Sequence, residues 1–139
     1  MLSKLVAIFL FTLNFPCFAE SSLNLLFHIG LGANGNYEIG GTIENNSPDQ
    51  ALHSAITYIT IDHKCNPSDA KVANLGVIKP QNTLDFRIPI EGVLSSYRIL
   101  SITGWNSIGV PVEAKDKTAD NIKKRENDFT KSCRATPGS

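Results

Sequence analysis

The stretch "LHSAITYITIDH" (residues 52–63) decides the fold class. At a repeat of two, Ile56 and Tyr58 fall on one side while Ala55, Ile59 and Ile61 fall on the other. Branched residues run through it, and branching at Cβ suits a pleated strand better than a helix turn. Both sides are largely apolar, which predicts a central strand with one side against an opposing sheet.

Working outward, the neighbouring segments repeat this pattern with turn signals between them. "LNLLFHIGL" (23–31) sets Leu23, Leu25, Phe27, Ile29 and Leu31 on one face, and "NYEIGGTIEN" (36–45) does the same with Tyr37, Ile39, Gly41 and Ile43. Asn34-Gly35 between them is a two-residue hairpin turn, since both residues accept positive φ. After "CNPSDA" (65–70), "KVANLGVI" (71–78) is a weaker strand with Gly76 as a bulge. "NTLDFRIPI" (82–90) alternates most cleanly, with Leu84, Phe86, Ile88 and Ile90 inward and Asp85 and Arg87 outward. Pro89 cannot donate to a ladder, so this strand ends there or lies at an edge. "SYRILSITGW" (96–105) and "IGVPVEA" (108–114) complete the set around the turn Asn106-Ser107. The expected fold is all-β, a seven-stranded antiparallel sandwich of the immunoglobulin or fibronectin type III kind.

The two ends differ from this body. "MLSKLVAIFLFTLNFPCFAE" (1–20) has a positive start at Lys4, an apolar run from Leu5 to Phe15, and small residues at Cys17 and Ala19. That is the layout of a signal peptide cleaved between Ala19 and Glu20. About eleven apolar residues are too few for a spanning helix, which needs roughly 20. Lipidation at Cys17 is the lesser reading, because Phe15 and Pro16 stand where a small residue is wanted. At the other end, "DKTADNIKKRENDFTKSC" (116–133) loses the alternation. Thr118 can cap a short helix that sets Ile122, Phe129 and Cys133 on one face. The expected division is a signal peptide at 1–19, a sandwich at 20–115, and a helical tail at 116–139.

Loss of Lys4 with the signal would change equal counts of 13 basic and 13 acidic residues to 12 against 13. Near-neutrality gives no electrostatic reason to expect a nucleic-acid or anionic-membrane partner. No later apolar run is long enough to insert in a membrane, so the expected location is secreted or periplasmic.

Export would also leave two cysteines, Cys65 and Cys133. In an oxidising compartment such a pair is expected as a disulfide, which the chain-entropy estimate values at about 4 kcal/mol for a loop of roughly 70 residues. Two alternatives share "DHKCNP" (62–67): a metal site using Asp62, His63 and Cys65, or a thiol nucleophile with His63 as its base. Zinc prefers paired ligand clusters, and neither His28 nor His53 has ligand spacing to this segment. No paired carboxylates, Ser-His-Asp order or HExxH spacing is present, so an enzyme and a cofactor are not expected.

Three further signals have modest readings. Asn45-Asn46-Ser47 is a glycosylation sequon, but Pro48 follows it and a plain turn is preferred. Lys123 to Arg125 sit beside Glu126 and Asp128, as on a solvated helix face. Trp105 closes a strand beside Gly104 and Asn106, either as core packing or as an exposed anchor for a partner.

"GTIENNS" (41–47), "YITID" (58–62) and "LGVIKPQNTLDFRIPI" (75–90), in that order, resemble the FxLYD-type domains of bacterial extracytoplasmic proteins. Tyr58 and Asp62 stand at the motif's aromatic and aspartate positions, while Thr60 and Ile61 replace its Leu-Tyr. In size, export and plan the chain is also similar to the interleukin receptor mimic family of pathogenic enterobacteria, which is fibronectin type III-like. That similarity implies a secreted factor that engages a host receptor and forms a homodimer by strand pairing or swapping. The expected function is a non-enzymatic protein-binding module. The alternative is a periplasmic structural or accessory protein, with a metal or thiol enzyme at His63 and Cys65 least favoured.

Overall fold

Alternating residues place eight strands in the described part of the chain, residues 21–92 and 96–119 of a computed structural model. They are β1 (Leu23–Ala33), β2 (Asn36–Asn45), β3 (Leu52–Ile61), β4 (Lys71–Ile78), β5 (Thr83–Ile90), β6 (Ser96–Trp105), β7 (Pro111–Val112) and β8 (Ala114–Asp116). Two four-stranded sheets result, in the orders β5-β2-β1-β8 and β4-β3-β6-β7. The expected all-β, sandwich-like body is present, but two details of the expectation are corrected.

The strand number is eight among the described residues, not seven, and one pairing is parallel. The single strand expected over 108–114 divides at Glu113. Pro111-Val112 pairs antiparallel with β6, whereas Ala114–Asp116 pairs parallel with Leu23–Leu25 of β1. The Leu23 amide donates to the Glu113 carbonyl at 3.1 Å, which marks the point where the chain changes sheets. Changing sheets leaves each half only two or three residues long.

The second correction concerns β1. Its register against β2 shifts between Leu25 and Phe27, and the side chains change faces there. A single extra residue is enough, because the strand repeat is two. Leu23 and Leu25 remain in the core, but Phe27, Ile29 and Leu31 are exposed. In their place His28 faces the other sheet, where its Nδ1 shares a 2.6 Å hydrogen bond with the Tyr97 hydroxyl of β6.

Elsewhere the expected faces hold. Ile39 and Ile43 of β2, Ile56 and Tyr58 of β3, and Phe86 and Ile88 of β5 meet in one buried cluster. Asn34 and Gly35 take φ of 53° and 77°, as a tight hairpin turn requires. Gly76, with φ 104°, sits at the register shift between β3 and β4, the bulge that a residue without Cβ permits. Pro89 lies on β5, an edge strand of its sheet. Ile56 is fully buried. Ile56→Ala is expected to lower unfolding free energy by about 2–5 kcal/mol in urea titration. A loss below about 1 kcal/mol would mean that this core is loosely packed.

Candidate interaction surface

The outer face of the β4-β3-β6-β7 sheet carries a row of side chains across all four strands. Val77 pairs with His53, His53 with Trp105, and Trp105 with Pro111, so the four stand side by side. The His53 and Trp105 rings are stacked, with centroids 5.6 Å apart and planes 6° from parallel. Trp105 is half-buried in this platform rather than closed into the core. The sequence reading singled out Trp105 and missed His53, although its place in the alternation of 52–63 put it on the face opposite Ile56.

Beside the platform, the β6–β7 hairpin is built around Asn106. Its backbone amide donates to the Val110 carbonyl at 3.0 Å, and its carbonyl accepts from Gly109 at 3.0 Å. Its side-chain Oδ1 accepts from the amides of Ile108 and Val110 at 3.2 and 2.9 Å. Asparagine suits such a turn because its short amide reaches the backbone two residues on. The turn thereby holds Ile108 outward, 81% exposed, with Val110 half exposed beside it. An open cleft of about 510 Å³ follows the β6–β7 border from Trp105 and Pro111 to Ala114.

The segment "DHKCNP" forms a turn organised by Asp62. Asp62 Oδ1 accepts the amides of Lys64 and Asn66, both at 2.9 Å. The Asp62 carbonyl accepts from Cys65 at 3.0 Å, and the Asp62 amide donates to Asn66 at 3.1 Å. The carboxylate therefore closes a tight turn that holds Cys65 at φ 64°. Cys65 is disulfide-bonded. Its expected partner, Cys133, lies outside the described residues, as do Ala19, Glu20 and the expected tail helix. Thr118, the expected helix cap, donates its amide and hydroxyl to Asp116 Oδ1 at 2.8 and 2.5 Å.

The amide of Asn66, then that of Lys64, holds the Asp62 carboxyl below its ordinary value, with His63 adding a smaller attraction. A depressed folded value contributes stability above the ordinary carboxylate range, and that contribution is lost as pH falls through the folded value. Hydrogen exchange at Lys64 and Asn66 is expected to lose protection selectively in acid, and Asp62→Asn should remove that pH dependence. Equal acid loss in both proteins would show that another group controls the turn.

Comparison with known proteins finds no matching family model, curated protein or solved structure. The likeness to FxLYD-type domains therefore rests on the three quoted segments alone.

Proposed function

We propose that the chain is an exported, non-enzymatic β-sandwich that binds another protein through the Trp105–Ile108 end of its four-stranded outer face. The observation that carries this reading is Ile108, an aliphatic side chain kept 81% exposed by a hydrogen-bonded turn. The Asn106 bonds fix the backbone of this turn, so less chain entropy is lost on binding, and a stacked aromatic beside it supplies rigid contact area. Grouped exposed apolar residues mark recognition surfaces more often than scattered ones do.

The sandwich, immunoglobulin- or fibronectin type III-like in this reading, serves as a rigid frame. The chain passes from one sheet to the other after β2, returns after β4, and crosses again after β5. In the same reading the signal peptide directs the protein to the periplasm or beyond, and Cys65 pairs with Cys133 to hold the tail.

The test is affinity capture from envelope and host-cell extracts with the oxidised wild-type protein and, in parallel, Ile108→Asp and Trp105→Ala. Both positions are at the surface, so Ile108→Asp should change stability by no more than about 0.5 kcal/mol. Loss of a hot-spot contact should weaken a captured partner's affinity at least about 30-fold, equivalent to about 2 kcal/mol. A captured set identical for all three proteins would place the binding surface elsewhere.

A further inference from the structure

The strand position beside β6 is filled over only part of its length. β7 pairs with Gly104 and Trp105, and the chain then turns away at Glu113 to join β1 in the other sheet. The line that β7 began runs on past Thr103 and Ile102 with no strand on it among the described residues. The open cleft of about 510 Å³ lies at this break, where Ile102, Thr103 and Gly104 of β6 come together with Val112 and Ala114.

The backbone of β6 is turned toward this position. The Asn106 amide donates to the Val110 carbonyl at 3.0 Å, on the side where β7 lies. Groups on one edge of a strand recur at every second residue. Gly104 and Ile102 therefore present their amides and carbonyls on that same side, while those of Thr103 face β3. Gly104 meets Val112 there, and Ile102 is the next position along. The edge "ILSIT" (99–103) contains neither a charge nor a proline, the usual means of keeping other chains away. Its far end is set at Leu100, the extra residue between Ile99 and Ser101 where the pairing with β3 shifts register.

We infer that this position receives an extended segment of another protein, which adds to β6 as a short antiparallel strand in line with β7. Ile102, Val112 and Ala114 are half-buried at the margin of the core, so the segment's inward side chain is apolar and of modest size. Thr103 and Ser101 are exposed on the outer face, which suits small or polar residues at the alternate positions. The cleft lining holds no charged residue, and a charge seated there would lose water without gaining a partner. From the end of β7 to Leu100 there is room for about four residues, roughly 13 Å of strand. Main-chain bonds then supply affinity and the alternating side chains supply selection. The position runs directly into Trp105 and the hairpin that carries Ile108, so the inference rests on the reading of that surface proposed above and names how the partner enters it.

The probe is an acetylated, amidated peptide that alternates threonine and valine between terminal lysines, added to the full-length oxidised protein. In an antiparallel pair the residue opposite Ile102 shares its inward direction and its bonds, so the valine amides meet β6. N-methylation of the valines is expected to weaken binding at least about tenfold, equivalent to about 1.4 kcal/mol, and N-methylation of the threonines less than about threefold. Hydrogen exchange at the Ile102 amide should slow when the unmodified peptide is added, with Thr103 unchanged. Equal losses for the two methylated peptides would overturn strand addition. So would protection at another edge instead, or an Ile102 amide already as protected as Thr103 without peptide. No peptide binding, beside a captured partner that Ile108→Asp still releases, would overturn it while leaving the Trp105–Ile108 surface in place. Binding in the expected pattern, with a captured set that neither Ile108→Asp nor Trp105→Ala alters, would remove that surface and leave strand addition standing.

Discussion

Asn45→Ala is expected to cost about 3 kcal/mol of unfolding free energy, although the substitution removes neither a charge nor a large apolar group. Asn45 is fully buried. Its Nδ2 donates to the Gln50 and Ile78 carbonyls at 2.7 and 2.9 Å, and its Oδ1 accepts the Ser47 amide at 2.9 Å. One side chain thus ties the end of β2, the adjoining turn and the end of β4. Removing it leaves buried groups without partners, each at about 1–3 kcal/mol, and Ile78 lies too deep for water to replace the donor fully. For a domain of this size the melting temperature should fall by roughly 10–20 °C. Asn45→Asp should be worse near neutral pH, because a buried carboxylate would face two carbonyl oxygens. Its folded-state carboxyl would be held above the ordinary value, so its stability should recover as pH falls and the acid regains a donor. Thermal melts at pH 4 and pH 7 give both answers. An alanine variant within about 1 kcal/mol of wild type would show that water or a shifted turn replaces these bonds.

The same residue shows where sequence reading stops. The segment "NNSPDQ" announces a turn through Pro48 and its small polar residues, and β2 does lead into a turn there. Nothing local says that Asn45 points inward, because its three partners come from the turn beyond it and from a distant strand. As a glycan acceptor Asn45 is excluded by that burial, which the sequon pattern alone does not reveal.

The strands themselves were legible because they are set by local alternation. Leu84, Phe86, Ile88 and Ile90 declared an inner face, and Phe86 and Ile88 are buried there. β1 misled because its apolar residues continue at a repeat of two through a register shift that leaves no mark on the alternation. Gly76 marked its own bulge; no residue between Leu25 and Phe27 did. The division at Glu113 was hidden for another reason: sheet-switching depends on which distant strand offers an edge, and that is decided by Leu23. For the surface, Trp105 could be picked by residue type alone. Ile108 could not, since an isolated isoleucine in a turn acquires meaning only when Asn106 is seen to hold it outward.

For the proposed Cys65–Cys133 pairing, breaking the disulfide is expected to have the largest effect, about 4 kcal/mol on the chain-entropy estimate for a loop of roughly 70 residues. The strict test is a cycle. Cys65→Ser and Cys133→Ser should each cost about this amount, and the double variant should cost no more than either alone, since the bond can be lost only once. The urea dependence should steepen in all three, because an unfolded chain without the cross-link exposes more surface. The turn adds a finer expectation. Cys65 occupies the left-handed region, with φ 64°, where a side chain with Cβ is strained by about 1–2 kcal/mol and glycine is not. Asp62 keeps the turn closed through the Lys64 and Asn66 amides whichever residue stands at 65. Cys65→Gly should therefore be the more stable of the two single variants at this position, by about 1 kcal/mol, while still lacking the bond. Additive costs in the cycle would mean that the two cysteines are not partners. A glycine variant no better than serine would mean that the turn opens once its sulfur link is gone.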